Sequence, residues 1–286
     1  MKNKYAFVVG ASENYAPGLI ALCNSVSKFH NNVDIRLLDY NLSEDTISKL
    51  EKIDVILHIQ KSINKNQILA TAIERFEYAY FLGQYYDAVC LMDADLFLTT
   101  DCNTFFDAAS KGFIVTGSNG MLINFNEDHQ KKYNVDLNCK DYFHTKVHTT
   151  VPIFINKDNL DWFKLLYDSK RIDHFDDFLY LNILGIKLNK CKKMITMPPY
   201  CFTGIHHFNL KPVTGIIRKE NLILAGTEEQ VYMIHGKWWD KGWYDDLMLV
   251  MEKYFKDNNF SDLQREWALR SRKIMLQEFD RYYKEI

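Results

Sequence analysis

Proline and glycine are scarce, at 5 and 12 residues in a chain of 286. That scarcity excludes collagen-like repeats and low-complexity linkers, which need a much larger share of both. Neither sign of charge is in excess, because 35 Lys and Arg face 37 Asp and Glu for a net charge of −2. The field of the whole molecule gives no strong sign of a nucleic-acid partner, so any bound anion must be held locally. Long hydrophobic runs are missing too: none reaches the roughly 18 residues that cross a bilayer, and no membrane span is expected. The opening, Met1 to Tyr5 and then Ala6-Phe7-Val8-Val9, turns polar too early for a signal peptide. The cysteines Cys23, Cys90, Cys102, Cys139, Cys191 and Cys201 include no pair at the spacing of zinc knuckles or redox motifs. Free, mostly buried thiols in a reducing, cytoplasmic setting are the expectation.

What is present is the material of a globular core. Hydrophobic residues make up 47% of the chain and aromatics 14%, enough for one large domain or two small ones. Ala6-Phe7-Val8-Val9-Gly10 reads as a buried strand, and the stretch from Gly10 to Gly18 reads as a polar loop with Ser12, Glu13, Asn14 and Pro17. Leu19 to Phe29 places Ile20, Cys23 or Asn24, Val26 and Phe29 at helical spacing. Val33 to Leu38 and Val55 to Ile59 are the next strands, with a helix capped by Ser43 between them. From Asn66 to Tyr86 a long amphipathic helix is expected, with Arg75 near its middle, followed by the apolar strand Ala88 to Met92. Later strands are read at Gly112 to Thr116 and Val151 to Ile155. Helices are read at Asn159 to Tyr167, Asp176 to Leu184, from Trp243 onward and from Ser261 to Tyr283, with Met197-Pro198-Pro199 as a loop. Buried strands alternating with helices point to an α/β fold with an open, largely parallel sheet, whose ligands sit beyond the carboxyl ends of the strands.

Asp93-Ala94-Asp95 interrupts this buried stretch where the apolar strand stops and Leu96-Phe97-Leu98 begins. Burying unpaired carboxylates costs several kcal/mol per ion, so the pair needs a cation or a turn into solvent. A hard divalent ion shared with substrate phosphate is one compensation, and a loop capped by both aspartates is the other.

Four other stretches stand in order around this one. They are Val8-Val9-Gly10-Ala11-Ser12-Glu13-Asn14-Tyr15, the helix segment Leu22 to Val26, Arg75 at 18 positions ahead of Asp93, and His235-Gly236-Lys237-Trp238-Trp239. Together they resemble the GT-A nucleotide-sugar glycosyltransferases, and within them glycosyltransferase family 8, the retaining enzymes related to glycogenin and bacterial galactosyltransferases. The resemblance implies a Rossmann-like GT-A fold, an open and mostly parallel sheet flanked by helices. It implies a nucleotide loop at Gly10, Ala11, Ser12, Asn14 and Tyr15, with further donor contacts from Arg75, Asp93, Ala94, Asp95, Gly236 and Lys237. It also implies a metal ion, Mn²⁺ or Mg²⁺, on Asp93, Asp95 and His235, with Lys237 on the diphosphate. Ser12 stands where the family often has an Asp for uracil, and the late motif is compressed and lacks the family's proline.

On the acceptor side, Val151-Pro152-Ile153-Phe154-Ile155-Asn156 and Trp162 resemble the family's central strand and Trp-bearing helix. Asp176-Asp177-Phe178-Leu179-Tyr180-Leu181-Asn182 resembles its Asp-Gln-Asp-x-Leu-Asn segment, with Phe178 in place of Gln. Asp177 is then the carboxylate available to the reacting sugar, although Asp176 and Asp177 also suit a first helical turn. Lys187, Lys190, Lys192 and Lys193 form a basic cluster that reads as solvated surface, and His206-His207 is an acceptor-site candidate weighed against an ordinary loop. Trp238, Trp239, Trp243 and Tyr244 either stack on sugar rings or seat the C-terminal helices.

The resemblance implies transfer of a sugar from a UDP-sugar donor to a carbohydrate or other hydroxyl acceptor, with retention of configuration. Two rivals stand beside it, a nucleotidyltransferase and a nucleotide-sugar-binding protein with impaired catalysis. The first usually has a basic phosphate loop after its first strand, whereas Gly10 to Gly18 holds no basic residue. The expected division is a catalytic domain over 1–243 and a helical appendage over 244–286. The appendage has three roles open to it: homodimer formation, acceptor capture or packing.

Overall fold

The computed structural model describes residues 4–63, 73–118, 148–169, 193–197, 202–204, 216–219, 222–225 and 229–284. The strands β1 (Tyr5–Ala11), β2 (Val33–Asp39), β3 (Ile56–Lys61) and β4 (Ala88–Asp93) are mutually parallel. They share one sheet with β6 (Ile114–Ser118), β7 (His148–Ile155) and β8 (Met194–Met197). β7 is antiparallel to both β4 and β6, and β8 is parallel to β6. The seven strands run in the order β3-β2-β1-β4-β7-β6-β8. The expectation of an open, mostly parallel sheet holds, with β7 reversed in its middle.

The chain moves outward from β1 through β2 to β3, then returns to place β4 on the other side of β1. That reversal leaves a crevice beyond the carboxyl ends of β1 and β4, where α/β sheets take their ligands. Gly10 of β1 lies in register with Asp93 of β4, so the Asp-Ala-Asp turn opens into that crevice. Ala6, Phe7, Val8 and Val9 are fully buried, as are Ala88 to Met92. Both strands therefore read as unbroken apolar runs rather than alternating ones.

The helices differ from expectation at their ends. α1 (Ala16–Phe29) starts ahead of Leu19, because Pro17 suits a first helical turn and a short 3₁₀ turn over Glu13–Tyr15 leads into it. α2 (Glu44–Leu50) is capped as expected, with the Thr46 amide donating to Ser43 Oγ at 3.1 Å. Residues 66–72 of the long helix lie outside the described residues. Its described α-helical part, α3 (Arg75–Leu82), starts at Arg75 and stops short of Tyr86. At Gly83 the backbone lies so close to Leu160 that no side chain would fit, and Tyr86 is drawn away to hydrogen-bond Asp34. α4 (Asn103–Ser110) has no counterpart in the sequence pattern, and Gly112 then turns the chain at φ 93° before β6 begins, two residues later than expected. α5 (Asp161–Ser169) matches the Trp-bearing helix. The segment 176–184 and the prolines at 198 and 199 lie outside the described residues.

Two helices close the described chain, α6 (Lys241–Asp257) and α7 (Asp262–Tyr283). α7 opens on a capping box in which Ser261 and Gln264 satisfy each other's backbone amides. Leu247, Met251, Phe255, Met275, Phe279 and Tyr282 bury their side chains in one cluster with Ala21 and Phe97. The side-chain amide of Asn24 in α1 donates to the Tyr282 carbonyl at 2.6 Å, a bond buried from water. Among the described residues no helix is long and apolar enough to cross a membrane.

One buried histidine gives the fold a pH dependence. His30 packs edge-on to Phe7 and Phe106, and its Nε2 accepts the Cys102 amide at 3.1 Å. Burial pushes its imidazole down from 6.5 to about 4. The unfolded chain therefore takes up this proton before the folded one does. The stabilisation is complete above pH 6.5 and is lost as pH falls toward 4. Urea unfolding should show stability dropping over that window, with His30 contributing at most about 1.4 kcal/mol per pH unit. His30→Gln should flatten the slope, and an unchanged slope would assign the effect to other groups.

Candidate functional site

The site is assembled where β4 stops. After Asp93 the chain turns through Ala94 and Asp95 and re-enters extended structure as β5 (Leu96–Leu98). β5 pairs antiparallel with β13 (Met233–His235), which pairs in parallel with β9 (Phe202–Gly204) on its other side. The register puts His235 opposite Leu96. Both ends of the ladder are pinned: the Gly236 amide donates to the Asp95 carbonyl at 2.8 Å, and the Thr99 amide donates to the Tyr232 carbonyl at 2.9 Å. Ser25 of α1 fixes β5 from the other side. Its buried hydroxyl donates to the Leu22 carbonyl at 2.7 Å and accepts the Leu98 amide at 3.0 Å.

This arrangement brings Asp93, Asp95 and His235 together, with one ligand atom from each within 4.8 Å of the others. His235 Nε2 lies 3.0 Å from Asp95 Oδ1 and 3.9 Å from Asp93 Oδ2. Arg75 Nη1 forms a close ion pair with Asp93 Oδ1. Burial works against a charged imidazole, but the two carboxylates outweigh it and raise His235 from 6.5 to about 9. The carboxylates thus demand a cation at this point. Two carboxylates and an imidazole are also a donor set suited to a divalent metal, so the residues present fit the ion that the resemblance implies.

The loop after β1 and the segment from His235 to Trp239 meet beside this cluster. Gly10 has no side chain because the ring of Tyr40 fills the space, with Cε2 2.5 Å from where a Cβ would stand. The Tyr40 amide donates to the Ala11 carbonyl at 2.9 Å, and the Tyr15 amide donates to the Ser12 carbonyl at 2.8 Å. Glu13 points away from the crevice. Its carboxylate accepts the Ser43 amide at 2.7 Å and the hydroxyls of Ser43 and Thr46, both at 2.9 Å. Those bonds, the Ser43 amide foremost, hold its pKa below the usual value and tie the loop to α2.

Past His235 the backbone takes φ 144° at Gly236, a value that disfavours any side chain, and this swings Lys237 back over the loop. Lys237 Nζ sits 4.8 Å from the centre of the Tyr15 ring. Burial opposes its charge, yet Tyr15, Asp95 and Asp240 raise its pKa. Gly18 marks an equally close approach: a Cβ there would lie 2.5 Å from the Ala94 carbonyl and 2.6 Å from the Trp239 ring.

No family model matches the chain, and no curated protein matches it by sequence. Solved structures do match in shape. The galactosyltransferase LgtC in complex with donor and acceptor sugar analogs aligns over 92% of this chain and 99% of its own, with TM-score 0.52 and 14% identity. An active-site mutant of LgtC gives TM-score 0.53 at the same identity and coverage. The bifunctional glycosyltransferase WbbM, without ligand, aligns over 94% of this chain and 52% of its own, with TM-score 0.53 and 14% identity. The chain has the GT-A fold.

Within this GT-A fold, Gly10 and Ala11 end β1, Ser12, Asn14 and Tyr15 lie in the turn that follows, Asp93 to Asp95 end β4 and turn into β5, and Gly236 and Lys237 follow β13. Arg75, expected as a donor contact, has its guanidinium on Asp93. Trp238 is 3% exposed and packs on Trp243 and Tyr244, so this aromatic group seats the C-terminal helices. Asp177, Phe178, His206, His207, Lys187, Lys190 and Lys192 lie outside the described residues; Lys193 is described, and exposed. Cys23, Cys90 and Cys102 are free and buried, as expected. Sequence reasoning missed Tyr40, Ser25 and Gly18. The pairing of a glycine with a distant large ring leaves no local pattern, although a serine inside the apolar stripe of α1 was a signal that could have been followed.

The close approach at Gly18 gives a test of the site. Gly18→Ala must displace the Ala94 carbonyl, which is backbone and cannot rotate away. The variant should remain folded but bind Mn²⁺ at least about tenfold more weakly in calorimetric titration, since a misplacement near 1 Å commonly costs that much or more. Wild-type Mn²⁺ affinity in Gly18→Ala would show that the turn tolerates the shift.

Proposed function

We propose that the chain is a metal-dependent glycosyltransferase that moves a sugar from a UDP-sugar to a hydroxyl of a carbohydrate or similar acceptor, with retention of anomeric configuration. The observation that carries this reading is the convergence of Asp93, Asp95 and His235 beside Lys237 at the carboxyl ends of β1 and β4. LgtC, captured with donor and acceptor sugar analogs, has the same fold.

Asp93, Asp95 and His235 would hold the divalent ion, Mn²⁺ or Mg²⁺, and the bound ion supplies positive charge to a diphosphate leaving group. The chain's own residues do the rest. Arg75 pairs with Asp93 and fixes the direction of its carboxylate. Lys237, charged and held over Tyr15, faces the same anion. Such preorganised charge is often the largest part of catalysis, because it need not rearrange as charge develops. The loop from Gly10 to Tyr15 offers backbone and the Tyr15 ring to the nucleotide. Bond balance is simple: the acceptor oxygen joins the anomeric carbon, UDP departs with the electron pair of the broken bond, and the hydroxyl proton is released. Asp177, taken from the sequence, is the carboxylate assigned to the positive charge that grows on the sugar.

Thermal unfolding tests this directly. UDP with Mn²⁺ should raise Tm, by an amount equivalent to about 2.7 kcal/mol at a hundredfold excess over Kd, and a chelator should abolish the rise. Asp95→Ala should lose the shift and at least about a hundredfold in UDP-sugar turnover. No metal-dependent shift with any nucleoside diphosphate would remove the proposal. Near-wild-type turnover in Asp177→Ala would remove that residue's role alone.

A further inference from the structure

Trp239 stands between the Gly10–Tyr15 loop and α7. On one side its ring lies 6.1 Å from the Tyr15 ring at 72°, an edge-to-face contact. On the other it lies 5.7 Å from Phe279 in α7, and Phe279 stacks in turn on Tyr283 at 5.5 Å. Below it, the bare backbone of Gly18 admits the ring so closely that any side chain there would collide with it. Tyr15 is thus gripped from two directions, by Trp239 at its edge and by Lys237 over its face.

The metal ligands are held by different means. Asp95 and His235 depend on the backbone bonds of the β5–β13 ladder and on the Ser25 hydroxyl, which accepts the Leu98 amide. Trp239 makes no part of that ladder. It follows that the two halves of the site can be perturbed apart.

We infer that Trp239 is a positioning residue that transmits the packing of α7 to the Tyr15–Lys237 pair, so that nucleotide binding depends on the C-terminal helix while metal binding does not. The inference deepens the donor site of the proposed function and rests on that reading. It gives α7 a definite role, in which the aromatic end of the helix backs the nucleotide loop through one indole ring. Edge-to-face contacts contribute about 0.5–1.5 kcal/mol each beyond their buried area, enough to set the angle of one tyrosine ring.

The experiment uses the full chain and measures two affinities by calorimetry, Mn²⁺ alone and UDP at saturating Mn²⁺. Trp239→Leu should weaken UDP by up to about tenfold, the fold-change that matches loss of one such contact. Its affinity for Mn²⁺ should stay at the wild-type value. Trp239→Phe, which keeps an aromatic ring for both Tyr15 and Phe279, should recover most of the loss. Phe279→Leu, placed in α7 and away from the crevice, should show the same selective loss in milder form. The inference is overturned if Trp239→Leu binds UDP like wild type, or if it loses Mn²⁺ and UDP in equal proportion, as a general weakening of the fold would produce. A wild-type chain that binds Mn²⁺ but no UDP would overturn the donor reading, and this inference with it, before any variant is compared.

Discussion

Two carboxylates at the end of a buried strand repel each other, and the pairing of β5 with β13 is what supplies their counterweight. Without that ladder His235 has no reason to stand 3.0 Å from Asp95. Arg75 would then pair with Asp93, and Asp95 would lose the imidazole beside it. The ladder is short, so its fixings at both ends matter more than its length. The Gly236 amide closes it beside Asp95, Thr99 closes the other end on Tyr232 and Val231, and Ser25 holds β5 against α1.

Around that ladder the crevice is shaped by pairing a missing side chain with a large one. Tyr40 occupies the space that Gly10 leaves, and Trp239 with the Ala94 carbonyl occupies the space that Gly18 leaves. The Gly18 contact brings backbone close to backbone beside the Asp93–Asp95 turn. Interiors packed at this density convert a small displacement at one contact into movement of the next. Glu13, an acid in the middle of the loop after β1, is bonded to the start of α2.

The main sheet was legible because its strands are apolar on both faces and its helices carry ordinary caps, as at Ser43 and Ser261. The Asp93-Ala94-Asp95 turn was legible because charge ends an apolar run abruptly. His235 could be linked to it only through the family resemblance, since nothing local to Met233-Ile234-His235 marks a three-residue strand. β9 and β5 are equally short, and β10 (Ile216–Lys219), β11 (Leu222–Ala225) and β12 (Glu229–Gln230) form a small sheet of their own. Strands of that size are specified by their partners, not by their own pattern. α4 escaped for a related reason: Asn103 to Ser110 mixes aromatic and small residues without a strong cap.

The long reach of the β5–β13 pairing also sets an order in time. Asp95 and His235 are 140 residues apart, and Asn24 meets Tyr282 across 258. By contrast, β1 to β4 are complete by Asp93 and pair through much shorter connections. Long loops cost more entropy to close and slow the contacts that depend on them. The parallel half of the sheet can therefore condense while the crevice is still unfinished. By that measure the site takes shape after the parallel strands, and a chain folded only as far as β4 would expose both aspartates to water with no imidazole beside them.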